Sequence, residues 1–194
     1  MPSRLKNTLK KKRRQLKKSL ALEIRLFDGL GGLDQAIADY ELVYRSSWKS
    51  AEASPLFIAG LMRTCAQLGH LRLGIAYLEG KPAAAQLWIV YQDVASIYKL
   101  AYDERYANMS VGSVLTAYLM ERVIDVDHVT EVDYMTGDDA YKQDWMSHRR
   151  ERWGLIAFNL STVYGLSGAC WHIGRQQLKS IFSTIRRRLS RAFQ

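Results

Sequence analysis

Residues 98–124, YKLAYDERYANMSVGSVLTAYLMERVI, and residues 130–145, TEVDYMTGDDAYKQDW, decide the fold of this chain. In order they read as a strand, a loop with a small-residue turn at Gly112, a helix, a second strand ending at Asp133, and a short helix carrying Tyr141, Lys142 and Trp145. The first helix covers about Val111 to Ile124 with Leu115, Tyr118, Leu119 and Val123 on its inner side, so the strand Val129–Met135 must cross over to rejoin the sheet. A loop that feeds a helix N-terminus leaves backbone N–H groups unpaired, and such groups suit a pyrophosphate.

Working back from this stretch, the period is two. Leu71, Leu73, Ile75 and Tyr77 alternate up to a Glu79-Gly80-Lys81-Pro82 turn, Ala85, Leu87, Ile89 and Tyr91 alternate up to Gln92-Asp93, and Val94–Ala101 makes a third strand. That is an antiparallel meander. Before it, residues 20–27 place Leu20, Leu22, Ile24 and Leu26 on one side of a half-buried strand. Two amphipathic helices follow, the first through Leu33, Ile37, Tyr40, Tyr44 and Trp48, the second opened by Ser54-Pro55 and running through Phe57, Leu61, Cys65 and Leu68. Residues 3–18 favour a helix charged almost all round, with Leu5, Leu9 and Leu16 apolar, which needs a partner or a surface. Downstream, Trp153–Phe158 reads as a further strand, and about Gly174 to Phe193 as an amphipathic helix with Leu178, Ile181, Phe182, Ile185 and Leu189 on one face.

The element order β-α-α-β-β-β-α-β-α predicts an α+β fold in three layers: a mixed, mostly antiparallel sheet flanked by helices. A basic helix (1–19), one main domain (20–160) and a basic amphipathic segment (161–194) are expected. The 194 residues, 48% hydrophobic, are enough for one core. The net charge of +9 resides in the two arms. Residues 1–22 hold nine basic residues and 159–194 hold six, neither segment with an acid, so residues 23–158 carry thirteen basic against nineteen acidic residues, a net −6. Such arms make solvated helices or meet something anionic, and charge counting alone does not separate lipid, nucleic acid and acidic protein. An anionic membrane surface ranks ahead of nucleic acid here, because apolar and cationic faces together suit a lipid interface.

Cys65 and Cys170 lie far apart without metal-ligand spacing, and read as reduced, structural thiols of a cytoplasmic protein. His70, His128, His148 and His172 have no ligand pairing either, so no metal is expected. No apolar run approaches the ~20 residues of a membrane span, and Glu23, Arg25 and Asp28 interrupt what would be a secretory core. A peripheral place at the inner face of the membrane fits the arms.

Three residues are candidates for chemistry. Asp133, on the face of its strand shared with Glu131, offers a carboxylate able to take a proton if burial raises its pKa; its other reading is a structural acid bonded to the Thr136-Gly137 turn. Lys142 is suited to an oxyanion or a phosphate, or is a solvated helix residue. Tyr141 is the third, and packing in the core is the alternative for it and for Trp145.

The stretches AYDERYANMSVGSVL (101–115) and VDYMTGDDAYKQDW (132–145), together with the element order, resemble the GNAT acyltransferase fold. More narrowly they are similar to the second half of FemAB/FemX-like acyltransferases, the cellulose- or exopolysaccharide-associated GNAT group, and the resemblance covers about residues 3–160. It implies acyl-CoA, acetyl-CoA above all, as co-substrate. Its pyrophosphate would lie on the loop Tyr106–Ser113, with Tyr106, Asn108, Ser110, Val111, Gly112 and Ser113 as binding positions, and its pantetheine arm in a splay between the fourth and fifth strands. The loop has one glycine, Gly112, where the superfamily usually shows Arg/Gln-x-x-Gly-x-Gly/Ala, which admits an acyl carrier or aminoacyl-tRNA as donor instead. The implied reaction is acyl transfer to an amine or hydroxyl of a polar acceptor such as an amino sugar, amino acid or polysaccharide unit. A non-catalytic module docking through its basic arms is the competing reading. The resembled family has two such halves and this chain has one, which implies a homodimer, a compact single-domain version, or a half without catalysis.

Overall fold

The computed structural model describes residues 3–52 and 54–175. The chain divides into two units, Met1–His148 and Arg149–Gln194. The first contains α1 (Ser3–Ser19), β1 (Glu23–Phe27), α2 (Leu33–Arg45), α3 (Pro55–Gln67), β2 (Leu71–Leu78), β3 (Lys81–Tyr91), β4 (Val94–Tyr102), α4 (Val111–Asp125) and β5 (Glu131–Asp133), with 3-10 segments at Glu104–Met109 and Ala140–Asp144. The five strands form one sheet in the order β1-β2-β3-β4-β5, antiparallel as far as β4 and parallel between β4 and β5. Both hairpins turn through paired left-handed residues, Glu79 and Gly80 (φ 51° and 75°) and Gln92 and Asp93 (φ 47° and 58°). That geometry matches the twist of adjacent antiparallel strands.

Helices cover both faces of the sheet, so its central strands are apolar on both sides. One face packs Leu73, Ile75 and Leu87 against Ile37 and Tyr40 of α2 and Met62 of α3. The other packs Ala76, Trp88 and Ile97 against Leu115 and Leu119 of α4 and Leu9 and Leu16 of α1. Gly74 lets α4 settle onto β2, since a Cβ there would stand 3.0 Å from both δ-methyls of Leu119. The partner that α1 needs is α4: Leu9 and Leu16 are buried, and Arg13 pairs with Glu121 at 3.4 Å.

Three strands differ from expectation: β1 begins at Glu23 instead of residue 20, since Ala21 is left-handed at φ 47°. β5 has three residues instead of the seven of Val129–Met135, because His128 and Met135 adopt left-handed φ values of 55° and 59°. Asp133 Oδ1 accepts the Met135 N–H at 2.7 Å and turns the chain out of the sheet. Trp153–Phe158 is not a strand: those residues are irregular, and Trp153 and Leu155 are exposed. The described part of the second unit offers no other strand to pair with, and a lone strand leaves its backbone groups without a ladder. Residues 163–175 of this unit are helical, opened by Thr162, whose Oγ1 accepts the Gly165 N–H at 3.1 Å. The helix expected from Gly174 to Phe193 lies beyond residue 175, outside the described residues. Cys65 is buried and Cys170 exposed, both as free thiols, so burial supports a structural role for Cys65 alone. No helix among the described residues is long and apolar enough to cross a membrane.

Candidate active site

Asp103 begins the loop between β4 and α4. Its buried carboxylate accepts the Arg105 backbone N–H at 2.9 Å and the guanidinium Nη2 at 2.6 Å. These hydrogen bonds hold its carboxyl below the usual carboxylate range. The Asp103 N–H donates to the Ala83 carbonyl at 2.9 Å and the Glu104 N–H to the Ser46 carbonyl at 3.2 Å, so both ends of this turn are fixed. The 3-10 segment then delivers Ser110, left-handed at φ 58°, ψ 28°, which starts α4 without a side-chain cap. Val114 donates to the Ser110 carbonyl at 3.0 Å as the helical ladder begins. The N–H groups of Val111, Gly112 and Ser113 therefore stand at the helix start without intrahelical acceptors, at the positive end of its dipole.

A buried side chain anchors that helix start to the sheet. Gln86 of β3 is 1% exposed, donates to the Gly112 carbonyl at 3.0 Å and to Thr116 Oγ1 at 2.8 Å, and accepts from Trp88 Nε1 at 2.9 Å. The Thr116 hydroxyl also donates to the Gly112 carbonyl at 3.0 Å. Gly112 is required for a second reason, because a Cβ there would come within 3.2 Å of the Tyr102 ring. The sequence signal for Gln86 was available: it is the one polar side chain in AAAQLWIV (83–90), and a strand buried on both faces admits such a residue only with partners.

Beside this helix start the sheet opens. β4 and β5 pair only at Val94–Glu131, Ala95–Val132 and Ser96–Asp133, while β4 continues to Tyr102. Within the continuation Lys99 faces Leu87 and Ile97 faces Trp88 of β3, which leaves Tyr98 as an extra residue in a bulge. Strand groups past Ser96 thus have an edge with no β5 ladder.

The six loop positions gather at the start of α4. Tyr106 is half-buried against the α4-side core with the Arg105 guanidinium 5.8 Å from its ring centre, Asn108 is exposed, and Ser110 and Ser113 are half-buried. The Val111 side chain is buried, leaving its N–H as the group able to meet a ligand. Asp133, Tyr141 and Lys142 gather instead around the turn after β5. Lys142 Nζ donates to the carbonyls of Thr136, Gly137 and Tyr134 at 2.8, 3.3 and 3.4 Å and lies 3.3 Å from Asp139, so its ammonium ties that turn together and is not a solvated helix residue. Tyr141 is largely exposed and meets Tyr134 edge-on at 6.0 Å. Trp145 is half-buried and packs against the α4-side core. A groove of 530 Å³ between α1 and α4, with Leu9, Arg13, Met120 and Trp145 in its walls, is lined by none of the residues 106–113. It is a seam between two packed helices.

The fold is shared with solved acetyltransferases. An aminoglycoside acetyltransferase, meta-AAC0020, from an uncultured soil metagenomic sample, solved with sisomicin, superposes with a TM-score of 0.52 at 15% identity, over 71% of this chain and 96% of its own. A GCN5-related N-acetyltransferase from Ralstonia eutropha JMP134 gives 0.52 at 16%, over 70% and 98%. AAC(6')-Iy in complex with the bisubstrate analog CoA-S-monomethyl-acetylneamine gives 0.50 at 12%, over 70% and 99%. Identities this low speak to the fold. Among curated proteins no match is found. Residues 3–143, from α1 through the turn after β5, match the family model described as "Acetyltransferase (GNAT) domain", and the chain accordingly belongs to the GNAT acetyltransferase family.

Proposed function

We propose that this protein transfers an acetyl group from acetyl-CoA to an amine or hydroxyl of a polar acceptor. The observation that carries the reading is the uncapped start of α4, fixed by Gln86 beside the point where β4 and β5 part. Three N–H groups aimed from a helix start are a donor set for a pyrophosphate, without needing the full glycine pattern. When bound, acetyl-CoA would supply an activated thioester carbonyl. The chain's part is to hold the phosphates on Val111, Gly112 and Ser113, to lay the pantetheine arm along the unpaired edge of β4, and to polarise the carbonyl with an N–H at the Tyr98 bulge. The acceptor nitrogen or oxygen forms its bond to the carbonyl carbon as the C–S bond breaks, and the acceptor's proton leaves through Asp133 or a water beside it. Lys142 acts here by positioning: its three carbonyl contacts fix the turn that carries Asp133 and Tyr141 at the acceptor side.

The narrower FemAB/FemX-like assignment, with an amino sugar, amino acid or exopolysaccharide unit as acceptor, rests on the motif at 132–145. A peripheral membrane location is favoured by α1, whose Lys10, Lys11, Arg14, Lys17 and Lys18 remain exposed while Leu9 and Leu16 are buried. A ligand that binds only the native state raises the melting temperature, by an amount worth about 2.7 kcal/mol at a hundredfold excess over Kd. Acetyl-CoA should therefore stabilise the parent protein, and Gly112→Asp, which sets a side chain against Tyr102 and a carboxylate at the phosphate position, should abolish the stabilisation. Equal stabilisation of both proteins would sink the loop assignment.

A further inference from the structure

On the α2/α3 side of the sheet, next to the bulge in β4, five polar side chains outside the groups described so far come together. Lys99 Nζ lies 2.7 Å from Glu52 Oε1, with the side chains 27% and 19% exposed. The Tyr44 ring lies beside this pair, its centre 5.9 Å from the Lys99 ammonium. The Lys49 ammonium lies 5.8 Å from the Trp48 ring centre and 6.0 Å from that of Tyr44, and none of the ion pairs among the described residues includes it. Beneath them, the Tyr40 hydroxyl is buried without a hydrogen-bond partner, in a residue only 2% exposed. A buried hydroxyl left unpaired costs free energy, which an ordered water or a ligand group would recover.

The cluster includes Lys99, on the part of β4 that β5 leaves unpaired. Lys99 follows Tyr98, the bulged residue, and Lys49 is close enough to Asp139 and Lys142, in the turn after β5, to feel both charges. The Trp48 ring packs against Tyr102, centres 4.5 Å apart and tilted by 42°, and Tyr102 is the residue that abuts Gly112 at the start of α4. One continuous wall, Trp48–Tyr102–Gly112, therefore joins the cluster to the phosphate-binding helix start. Two ammonium groups against one carboxylate give the cluster an excess positive charge beside the Trp48 and Tyr44 rings. A polycation would meet like charge there, whereas a carboxylate would find two ammonium groups and a hydroxyl donor.

We propose that Lys49, Lys99 and Tyr40 form the acceptor subsite and select an acceptor that carries a carboxylate beside its nucleophilic amine or hydroxyl. The proposal rests on the acetyl-transfer reading and narrows its acceptor to amino acids and acidic amino sugars. Glu52 sets Lys99 in place, and the Trp48 and Tyr44 faces hold the acceptor's body.

The test measures release of the CoA thiol with acetyl-CoA and matched acceptors: glutamate, aspartate and 2-amino-2-deoxygalacturonate, each against its carboxamide, with a polyamine as the opposite charge. The carboxylate form should exceed its carboxamide in kcat/KM by about tenfold or more, the scale of one charge-assisted hydrogen bond. Lys49→Met should erase that preference mainly through KM, while acetyl-CoA still raises the melting temperature as in the parent. Lys99→Met should do the same; if it fails to fold because Glu52 loses its counter-ion, Lys49→Met, which breaks no ion pair, decides alone. Carboxamides or the polyamine turned over as well as the carboxylates, a preference that survives Lys49→Met, or no turnover of any carboxylate despite donor binding would each overturn the subsite. Loss of the acetyl-CoA stabilisation in the parent protein would instead overturn the transferase reading beneath it.

Discussion

Gln86 shows how one side chain can set the geometry of a ligand site from the interior. It bonds a carbonyl, a hydroxyl and an indole at once, so replacing it by an apolar residue of similar size leaves three buried polar groups short of a partner. Unsatisfied buried groups cost about 1–3 kcal/mol each, and Thr116 can still serve the Gly112 carbonyl, so Gln86→Leu should lose on the order of 3 kcal/mol. In a chain of this size that corresponds to a fall in Tm of roughly 6–12 °C. Thermal denaturation followed by circular dichroism reads it directly, and a variant as stable as its parent would show that the network does not anchor α4. At this scale the sequence was partly legible. Gly112 was marked by its place in a strand-to-helix loop, yet the reason for it, contact with Tyr102, depends on a ring ten residues earlier. Lys99 stood in plain view inside a strand, but its partner Glu52 lies in a different loop, and neither residue carries a local signal of the other.

The elements were easier to anticipate than their ends. β2, β3 and β4 fell where alternation placed them, because their hairpin turns are local and their side chains report two buried faces. β5 was drawn too long because its apolar alternation continues past Asp133, while the chain leaves the sheet on a side-chain-to-backbone bond that periodicity does not register. That early exit is what frees the edge of β4. The turn that follows depends on Lys142, whose three carbonyl contacts and Asp139 pair leave its ammonium engaged on every side. Lys142→Met should loosen this turn at a cost of about 1 kcal/mol and should lower kcat/KM through the acceptor, leaving acetyl-CoA affinity unchanged. Steady-state kinetics with each substrate varied in turn will separate the two, and unaltered turnover would remove the segment from the site.

For the whole molecule, the distribution of charge matters more than its sum. α1 hides Leu9 and Leu16 against α4 and turns Lys10, Lys11, Arg14, Lys17 and Lys18 outward, while residues 23–158 carry −6. If α1 is the membrane-facing side, the protein should sediment with phosphatidylserine vesicles, at about 1 kcal/mol per basic residue near the surface. Replacing those five residues by Gln should release it, as should raised salt, because screening shortens the reach of the charges. Co-sedimentation at two ionic strengths, beside a filter-binding titration with RNA, reads the result. Retention that ignores both salt and the five substitutions would reject the lipid role, and tight salt-dependent RNA binding without lipid binding would favour nucleic acid. The seating of α1 has a further consequence, for biosynthesis. Arg13 waits 108 residues for Glu121, so during synthesis α1 has no partner until α4 has been made, and a strongly basic segment of this length is a poor helix until then. The growing chain carries a cationic, unpacked segment until α4 emerges, and closure of α1 onto α4 has to wait for that moment.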